Sequence, residues 1–281
     1  MIGLRSKRII SDTAIYVILL VMVFVWLFPL VWMILKAFDT NTGISSITIF
    51  PKEYTAENFK LLFTDSNNPY GKWLINTFVI ALISCVVSTL LILMVSFALS
   101  RLRFKARKKL MNIGLILGLF PGFLSMIALY YMFNQFELTD NIVGLALAYS
   151  LASGTGYYIV KGFFDTVPIA IDEAARIDGA TKNRIFWQMT IPLSKPIIVY
   201  TILTSFISPW CDFIMASVFL SSPNNYTIAV GIRNWTTQTM VAEYFARFCA
   251  GSVLISVPIV ILFLFMQKFY IAGITGGAAK G

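Results

Sequence analysis

The sequence predicts an all-α membrane protein with six transmembrane helices, and three observations support that prediction. Hydrophobic residues make up 58% of the chain and charged residues only 12%, whereas roughly 25% of residues are charged in typical soluble domains. Several apolar runs reach the ~20 residues that a helix needs to cross a bilayer. These runs are continuously apolar rather than alternating, which favours helices over a β-barrel.

The apolar runs divide the chain, 1–281, into one predicted transmembrane domain. The six predicted spans cover about 14–35, 74–99, 111–133, 142–164, 197–219 and 249–270. The first run follows the basic segment RSKR, as a signal peptide would. It is longer than the apolar part of a signal peptide, and no A-x-A-like cleavage site follows it. We therefore predict that it is retained as the first span.

The positions of the basic residues predict the orientation of these spans. Most of the 22 lysine and arginine residues lie at the two termini, in RLRFKARKK (101–109), and in or near the segment 165–196. Loops rich in these residues face the cytoplasm, so both termini and the segment 165–196 are predicted to be cytoplasmic. The net charge of +9 comes from short clusters separated by spans, which argues against nucleic-acid binding.

Several kinds of chemistry are not expected from this composition. The chain has no histidine and three cysteines, and the cysteines are far apart, in or beside apolar runs. A zinc site or a histidine-dependent nucleophile is therefore not expected. No GxxxxGK[ST] segment occurs, so we do not expect the chain to bind ATP through a P-loop. We predict that it is not an enzyme and holds no metal or cofactor.

The segment 165–196 is the longest polar stretch in the second half of the chain, and it predicts two short helices. A proline suits the first turn of a helix, a polar side chain caps its start, and glycine suits its end. The residues expected to act in these ways are Asp165 or Thr166 (first cap), Pro168 (first turn), Gly179 (end), Thr181 (second cap), and Pro192 and Pro196 (end of the second segment).

The first of these helices could present a surface to another protein. Ala174 and Ala175 lack bulk, so a second surface could approach closely, and Glu173 and Arg176 could pair with each other or with a partner. The alternative is a solvated helix at the membrane interface whose charges merely face water.

The run EAARIDGATKNRIFWQMTIP resembles the EAA loop of importer-type ABC-transporter permeases. That loop has the pattern E-A-A, three residues, G, nine residues, I-x-L-P. The matching residues are Glu173, Ala174, Ala175, Gly179 and Pro192. Met189 and Ile191 stand where the family prefers isoleucine and leucine, and both replacements are apolar.

The resemblance implies a coupling function for this loop and the type I ABC importer permease fold for the chain. In that family the loop forms a coupling helix that docks into a cleft on a cytoplasmic ATPase. Glu173 would supply a polar contact, Ala174 and Ala175 a close-packed surface, and Gly179 the turn. Arg176 and Pro192 complete the expected coupling residues.

The resemblance extends over nearly the whole chain. SFALSRLRFKARKKLM looks like carbohydrate-uptake permeases, and LFPGFLSMIALYYMF and NNYTIAVGIRNW look like the smaller permease of maltose/maltodextrin importers. It implies an oligosaccharide permease of the bacterial cytoplasmic membrane, with maltodextrin as the expected substrate and another sugar or a polyol as the alternative. The implied partners are a second permease in a heterodimer, two ATPase subunits that bind ATP and magnesium, and an extracytoplasmic solute-binding protein.

The substrate path is less clearly marked, and its candidate residues are Asp212, Trp210, Asn76 and Tyr131. Asp212 is essentially the one acid within the spans, and it either lines the path or makes a structural hydrogen bond near a helix broken at Pro209. An ion-coupled secondary transporter is the competing class, but such carriers usually need intramembrane ionisable groups and have no use for an EAA loop. A purely structural subunit is a third class, which the small polar residues scattered in the spans disfavour only weakly.

Overall fold

The structure, a computed structural model, describes residues 4–43, 49–237 and 239–278. Within those ranges the regular elements are helices, and the one β-type pairing is an isolated bridge between Asp39 and Tyr54. The all-α prediction is therefore confirmed. The chain groups into two compact units, Met1–Asn68 with Asn234–Leu254 and Pro69–Arg233 with Ile255–Gly281. The prediction of one transmembrane domain stays a prediction.

The α-helices follow one another without intervening strands in the described ranges. They are α1 (Leu4–Ala37), α2 (Glu57–Thr64), α3 (Tyr70–Arg101), α4 (Arg107–Gly118), α5 (Gly122–Gln135), α6 (Ile142–Ala152), α7 (Tyr157–Thr166), α8 (Ile169–Ile177), α9 (Lys182–Ile185), α10 (Ile191–Leu193), α11 (Lys195–Cys211), α12 (Ile214–Phe219), α13 (Ile228–Asn234) and α14 (Val241–Ala278). Two 3₁₀ turns, Ser153–Gly156 and Pro223–Asn225, and a π-helical turn, Phe186–Thr190, complete them.

In the first unit, a long apolar helix leads into a loop that is held by polar contacts. No residue in the apolar window of α1 is buried, as suits a helix surrounded by lipid. At its end the buried Lys36 ammonium lies 2.6 Å from an Asp39 carboxylate oxygen. The Asn58 amide donates to the backbone carbonyls of Ala37 and Asp39 at 3.1 and 2.8 Å. The end of α1 and Asp39 are therefore joined to Asn58 of α2 by buried hydrogen bonds.

In the second unit, α3 runs through two apolar clusters and packs against α6, α7 and α11. Ile80 belongs to a cluster with Leu145 and Phe219. Phe97, near the other end of α3, belongs to a second cluster with Phe164. Because one helix contributes to both clusters, α3 is the common support of the unit.

Three long helices and three bent helix pairs are candidate membrane spans in the described residues. Asp12–Ala37, Tyr70–Arg101 and Val241–Gln267 are each long and apolar enough to cross a membrane. Three further helix pairs pass the same test together but are bent by 103° (α4 with α5), 49° (α6 with α7) and 86° (Lys182–Leu193 with α11). The chain is thus a multi-pass membrane protein, with up to six spans if each bent pair counts as one. The orientation of its termini stays a prediction.

The structure interrupts three of the predicted spans, 111–133, 142–164 and 197–219. The first is interrupted between α4 and α5 at Pro121, which lacks an N–H and disfavours helix in the residue before it. The second passes through the 3₁₀ turn Ser153–Gly156, which contains two glycines. The third ends with α11 at Cys211, two residues after Pro209, and resumes in α12.

Candidate functional site

The first candidate region is the segment 165–196, whose first helix ends as the sequence predicts. α8 ends at Ile177 with Asp178 as its C-cap, and Gly179 follows with a φ of +82°. The Ala180 N–H bonds to the Ala175 carbonyl at 2.9 Å, and the Gly179 N–H bonds to the Arg176 carbonyl at 3.0 Å. This pair of bonds is a Schellman motif, which needs a residue at ease in the left-handed region. The glycine therefore fixes where the chain turns away from α8.

The start of α8 differs from the prediction. The residue before its first turn is Pro168, and no side chain caps the helix there. Thr166 instead donates its hydroxyl to the Phe163 carbonyl at 2.7 Å, and Asp165 accepts from the Ser100 hydroxyl at 2.6 Å. Both side chains are therefore used within or beside α7, and the predicted caps are wrong.

The second predicted helix begins as expected but does not end at Pro192. The Thr181 hydroxyl oxygen accepts from the Arg184 N–H at 3.3 Å, which confirms the predicted cap. Beyond α9 the chain widens into the π-helical turn and re-enters an α-helical turn that contains Pro192. Pro192 has no N–H to donate, and it follows directly on the π-helical turn, in which the Ile191 N–H bonds to the Phe186 carbonyl. The 86° bend before α11 follows at Ser194.

The two alanines of the EAA pattern face in different directions. Ala174 is exposed, together with Glu173 and Arg176. Ala175 is buried and packs with Phe97 and other residues of the second apolar cluster. Ala175 thus anchors α8 to its own chain, in contrast to the expectation that both alanines offer surface. Ile177, 87% exposed, is the most exposed apolar side chain of α8.

Arg101 and Asp172 form a buried pair that the sequence reasoning missed. The Arg101 guanidinium Nε lies 3.4 Å from an Asp172 carboxylate oxygen, and the two side chains are 4% and 3% exposed. Arg101 also donates through Nη2 to the carbonyls of Phe164 and Val167, both at 2.8 Å. In the sequence Arg101 was one basic residue among many, and Asp172 only an acid next to Glu173. Arg101 and Asp172 are far apart in the sequence, so their pairing leaves no local sequence pattern.

The second candidate region is a cavity of about 240 Å³ between α3, α6 and α11. All of its lining residues except Ile92 and Gly156 carry hydroxyls: Ser84, Ser88, Tyr149, Ser153, Thr204, Ser205 and Ser208. Ser84 and Thr204 donate to backbone carbonyls. Within the described residues, no hydrogen bond to another group accounts for the hydroxyls of Ser88, Ser205 and Ser208. Small polar residues that seemed scattered in the sequence therefore converge on one space.

Asp212 lies at the break between α11 and α12 and makes structural hydrogen bonds. Its Oδ2 accepts from the Tyr149 hydroxyl at 2.6 Å and from the Ala216 N–H at 3.2 Å. The same residue lines a larger cavity of about 470 Å³, which residues of α4 and α5 also border. Since Tyr149 lines the hydroxyl-rich cavity, the Tyr149–Asp212 bond stands between the two spaces. Both roles considered for Asp212 from sequence are therefore compatible with its position.

The other three predicted path residues lie in different surroundings. Trp210 is buried against Phe206, with its indole N–H unpaired in the described structure. The Asn76 amide donates to the carbonyls of Asn224 and Tyr226 at 2.9 and 3.1 Å. Tyr131 is 65% exposed. Their predicted contact with substrate stays a prediction.

No set of metal donors comes together in the part of the chain that the structure describes. No group of three or more histidine, cysteine, aspartate or glutamate residues is close enough there to hold an ion. The site thus comprises contact surfaces and hydroxyls, which bind by hydrogen bonding and packing.

Comparison with known proteins gives matches over nearly the whole chain. Residues 66–274 match the family described as binding-protein-dependent transport system inner membrane component. The galactooligosaccharides transport system permease protein GanQ of Bacillus subtilis is 33% identical, and the match covers 99% of each chain. The maltodextrin transport system permease protein MalD of Streptococcus pneumoniae is 34% identical, again over 99% of each.

Among solved structures, a similar fold occurs in a bacterial ABC transporter involved in the import of the acidic polysaccharide alginate. The TM-score is 0.77, at 20% sequence identity, and the match covers 96% of this chain and 99% of the other. At that level of identity the likeness concerns the fold alone.

Proposed function

Because the chain belongs to the family of binding-protein-dependent transport system inner membrane components, we propose that it is the permease subunit of an ATP-driven oligosaccharide importer. It has no P-loop segment, so ATP and magnesium are bound by two partner ATPase subunits. A second permease and an extracytoplasmic solute-binding protein complete the complex. The proposed location is the bacterial cytoplasmic membrane, with α8 on the cytoplasmic side.

The proposed substrate is an oligosaccharide, with maltodextrin as the first candidate. Relatives at similar identity are described as transporters of galactooligosaccharides, maltodextrin and, at 28% identity, trehalose. These compounds share many hydroxyl groups on a weakly polar ring. The hydroxyl-lined cavity carries the proposal, because its free serine hydroxyls both donate and accept, as sugar hydroxyls do. Galactooligosaccharide, another sugar or a polyol is the alternative within this class.

The proposed mechanism couples two states of the membrane subunit to the ATPases. The exposed face of α8, with Glu173, Ala174 and Ile177, docks on an ATPase subunit. ATP binding closes the ATPase pair and favours an outward-facing state, and hydrolysis returns the cavity to the inside. The nucleotide acts only through its different affinity for these two states. Arg176, Gly179 and Pro192 complete the proposed coupling loop.

An ion-coupled carrier is less well supported. Asp212 would be the coupling acid in that case, but its Oδ2 is engaged by Tyr149 and Ala216. A carrier of that class also has no use for an exposed, separately anchored helix such as α8. We propose instead that Asp212 holds the break between α11 and α12 beside the substrate path.

Uptake of labelled sugars by cells with and without this chain tests the substrate. We expect maltodextrin uptake to be lost on deletion and restored by the full chain, whereas glucose uptake is unaffected. Maltodextrin uptake that survives deletion, with loss of galactooligosaccharide uptake, would move the assignment to the alternative. If deletion changes no sugar's uptake, the oligosaccharide proposal is wrong.

Glu173→Lys tests the coupling surface in the same cells. Glu173 is exposed, so reversing its charge leaves no buried group unpaired. The variant should therefore reach the membrane in normal amounts but lose uptake. Asp12→Lys, the same charge reversal at another exposed acid, is the matched control and should transport normally. Normal uptake by Glu173→Lys would contradict docking through this face.

A further inference from the structure

Arg101 joins three helices through one side chain. It is the last residue of α3, and it donates to the carbonyls of Phe164, in the last turn of α7, and of Val167, just beyond that helix. Its Nε faces Asp172 in the first turn of α8. The guanidinium therefore lies where the ends of α3 and α7 meet the start of α8.

The chemistry of this junction suits arginine better than lysine. A guanidinium presents several donors in a fixed planar fork, whereas a lysine ammonium is a point charge on a flexible stem. The Phe164 carbonyl also accepts from the Val167 N–H at 3.2 Å, and the C-terminal end of α7 carries partial negative charge. The carboxylate oxygen of Asp172 that faces Arg101 has no hydrogen-bond partner in the described structure. Its nearest compensating charge is Arg101, at 3.4 Å.

Apolar packing closes the same junction from the other side. Ala175, one turn after Asp172, packs with Phe97 of α3 and with Val160 and Phe164 of α7. Asp172 and Ala175 are the two buried residues of α8, whereas Glu173 and Ile177 are exposed. This junction connects α8, which is proposed to dock on the ATPase, with α3, which carries Ser84 and Ser88 of the cavity.

We propose that Arg101 and Asp172 are positioning residues that make α3, α7 and α8 move as one rigid body. A displacement of the exposed face of α8 is then carried along α3 to the hydroxyl-lined cavity. This inference rests on the proposed function, because it names the element through which the ATPase motion would reach the substrate path. Neither residue touches substrate or nucleotide in this scheme.

The distance between α8 and α3 tests rigidity directly. Spin labels are attached at Ala170→Cys and Met94→Cys, both exposed positions, in a Cys211→Ser background, in the full chain assembled with its partners in the membrane. With Arg101 present we expect one narrow distance distribution with the same mean in the absence and presence of ATP. Arg101→Lys, which keeps the charge but loses the fork, should give a broader distribution.

Transport measured on the same variants separates positioning from a merely structural role. Coupling between two sites typically changes affinity by about 5–150-fold. Uptake by Arg101→Lys should therefore decrease by a factor of that size relative to the parent, while ATP hydrolysis by the complex persists. Arg103→Lys, the same replacement at an exposed arginine two residues away, is the control and should match the parent. Asp172→Glu, which keeps both charges but shifts the carboxylate, is the second variant if Arg101→Lys is not recovered in the membrane.

Two results would overturn the inference. One is a parent distance that changes with ATP, because α8 would then move independently of α3. The other is a narrow distribution and normal uptake in both Arg101→Lys and Asp172→Glu. Absence of ATP-dependent uptake by the unmodified complex would refute the proposed function instead, and the width of the distance distributions would still decide whether the junction is rigid.

Discussion

At its first turns α3 holds the segment 223–228 through neutral hydrogen bonds, whereas at its last residue it holds α8 through buried charge. Trp73 and Asn76 donate to backbone carbonyls of that segment, and the Thr77 hydroxyl accepts from the Ile228 N–H at 2.7 Å. The far end depends on Arg101 and its partners. We call the first set the neutral clamp and the second the charged junction.

The two ends of α3 differ in how many independent interactions hold each of them. Several independent hydrogen bonds, each worth about 0.5–1.5 kcal/mol net, hold the neutral clamp, so the loss of one leaves the others in place. In the charged junction one guanidinium serves an ion pair and two carbonyls. Removing one partner of a buried pair leaves an uncompensated charge. The charged junction should therefore be the more sensitive of the two to single substitutions.

The largest expected effect is that of Asp172→Asn at the charged junction. Leaving the Arg101 charge buried without its partner should lower the free energy of unfolding by about 3–5 kcal/mol. Thermal unfolding of the purified chain, followed with a thiol-reactive dye, measures the change. Arg101→Met combined with Asp172→Leu should recover part of the loss, since no charge then remains buried. If Asp172→Asn lowers the free energy of unfolding by less than the neutral-clamp variants do, the charged junction is not the more sensitive end of α3.

Gly231→Ala should have the next largest effect, at the neutral clamp. A Cβ there would lie 2.1 Å from a ring carbon of Trp73, whose indole is buried and bonded to the Pro223 carbonyl at 2.7 Å. Overpacking of this kind costs roughly 1–3 kcal/mol, and we expect the upper end because the ring cannot move without losing its bond. Gly162→Ala in α7 is the control.

That control should behave in the opposite way. A Cβ at Gly162 meets nothing within 4 Å, and replacing glycine by alanine inside a helix gains about 0.5–1 kcal/mol. If Gly231→Ala and Gly162→Ala destabilise the protein by similar amounts, the effect comes from replacing any helical glycine and not from the contact with Trp73.

Thr77→Val should cost less than Gly231→Ala. It leaves the buried Ile228 N–H without an acceptor, a loss of about 1–2 kcal/mol, while valine preserves the shape of the side chain. Thr64→Val removes an exposed hydroxyl that bonds only to the Lys60 carbonyl and should be nearly neutral in the same unfolding experiment. A Thr77→Val loss as large as that of Asp172→Asn would remove the distinction between the two ends of α3.

The smallest expected effect is a pH dependence next to the neutral clamp. Burial raises the pKa of the Asp140 carboxyl, but hydrogen bonds from Ser222, Ser221 and Asn225 outweigh it and leave the pKa below its ordinary value. A lowered pKa in the folded state means that this contribution to stability is complete above the unfolded value of about 3.9 and is lost as the pH falls through the folded pKa.

Hydrogen exchange of the Ser221 and Ser222 amides, both of which donate to Asp140 at 3.0 Å, measures that effect. Their protection relative to other amides should be constant from neutral pH down to about 4 and should decrease below it. Asp140→Asn should remove this step. A step near neutral pH would contradict the lowered pKa.

Much of the fold could be predicted from local sequence, because the signals lie within a few residues of each other. Apolar runs gave the helices, and the spacing of Gly179 and Thr181 gave the end of α8 and the cap of α9. The bends were missed, since apolar composition alone does not distinguish a continuous span from two helices joined at Pro121. The caps at Asp165 and Thr166 were missed because both side chains had other partners nearby.

The sequence by itself determined that this chain is helical, membrane-spanning and equipped with a short polar loop, because hydropathy and turn residues act over one or two turns. Only the tertiary structure decided which side of α8 stays exposed, that Arg101 pairs with Asp172, and that the hydroxyls of α3, α6 and α11 share a cavity. Those arrangements join residues that are tens of positions apart. Their free energy comes from burial and pairing, which depend on how the helices pack.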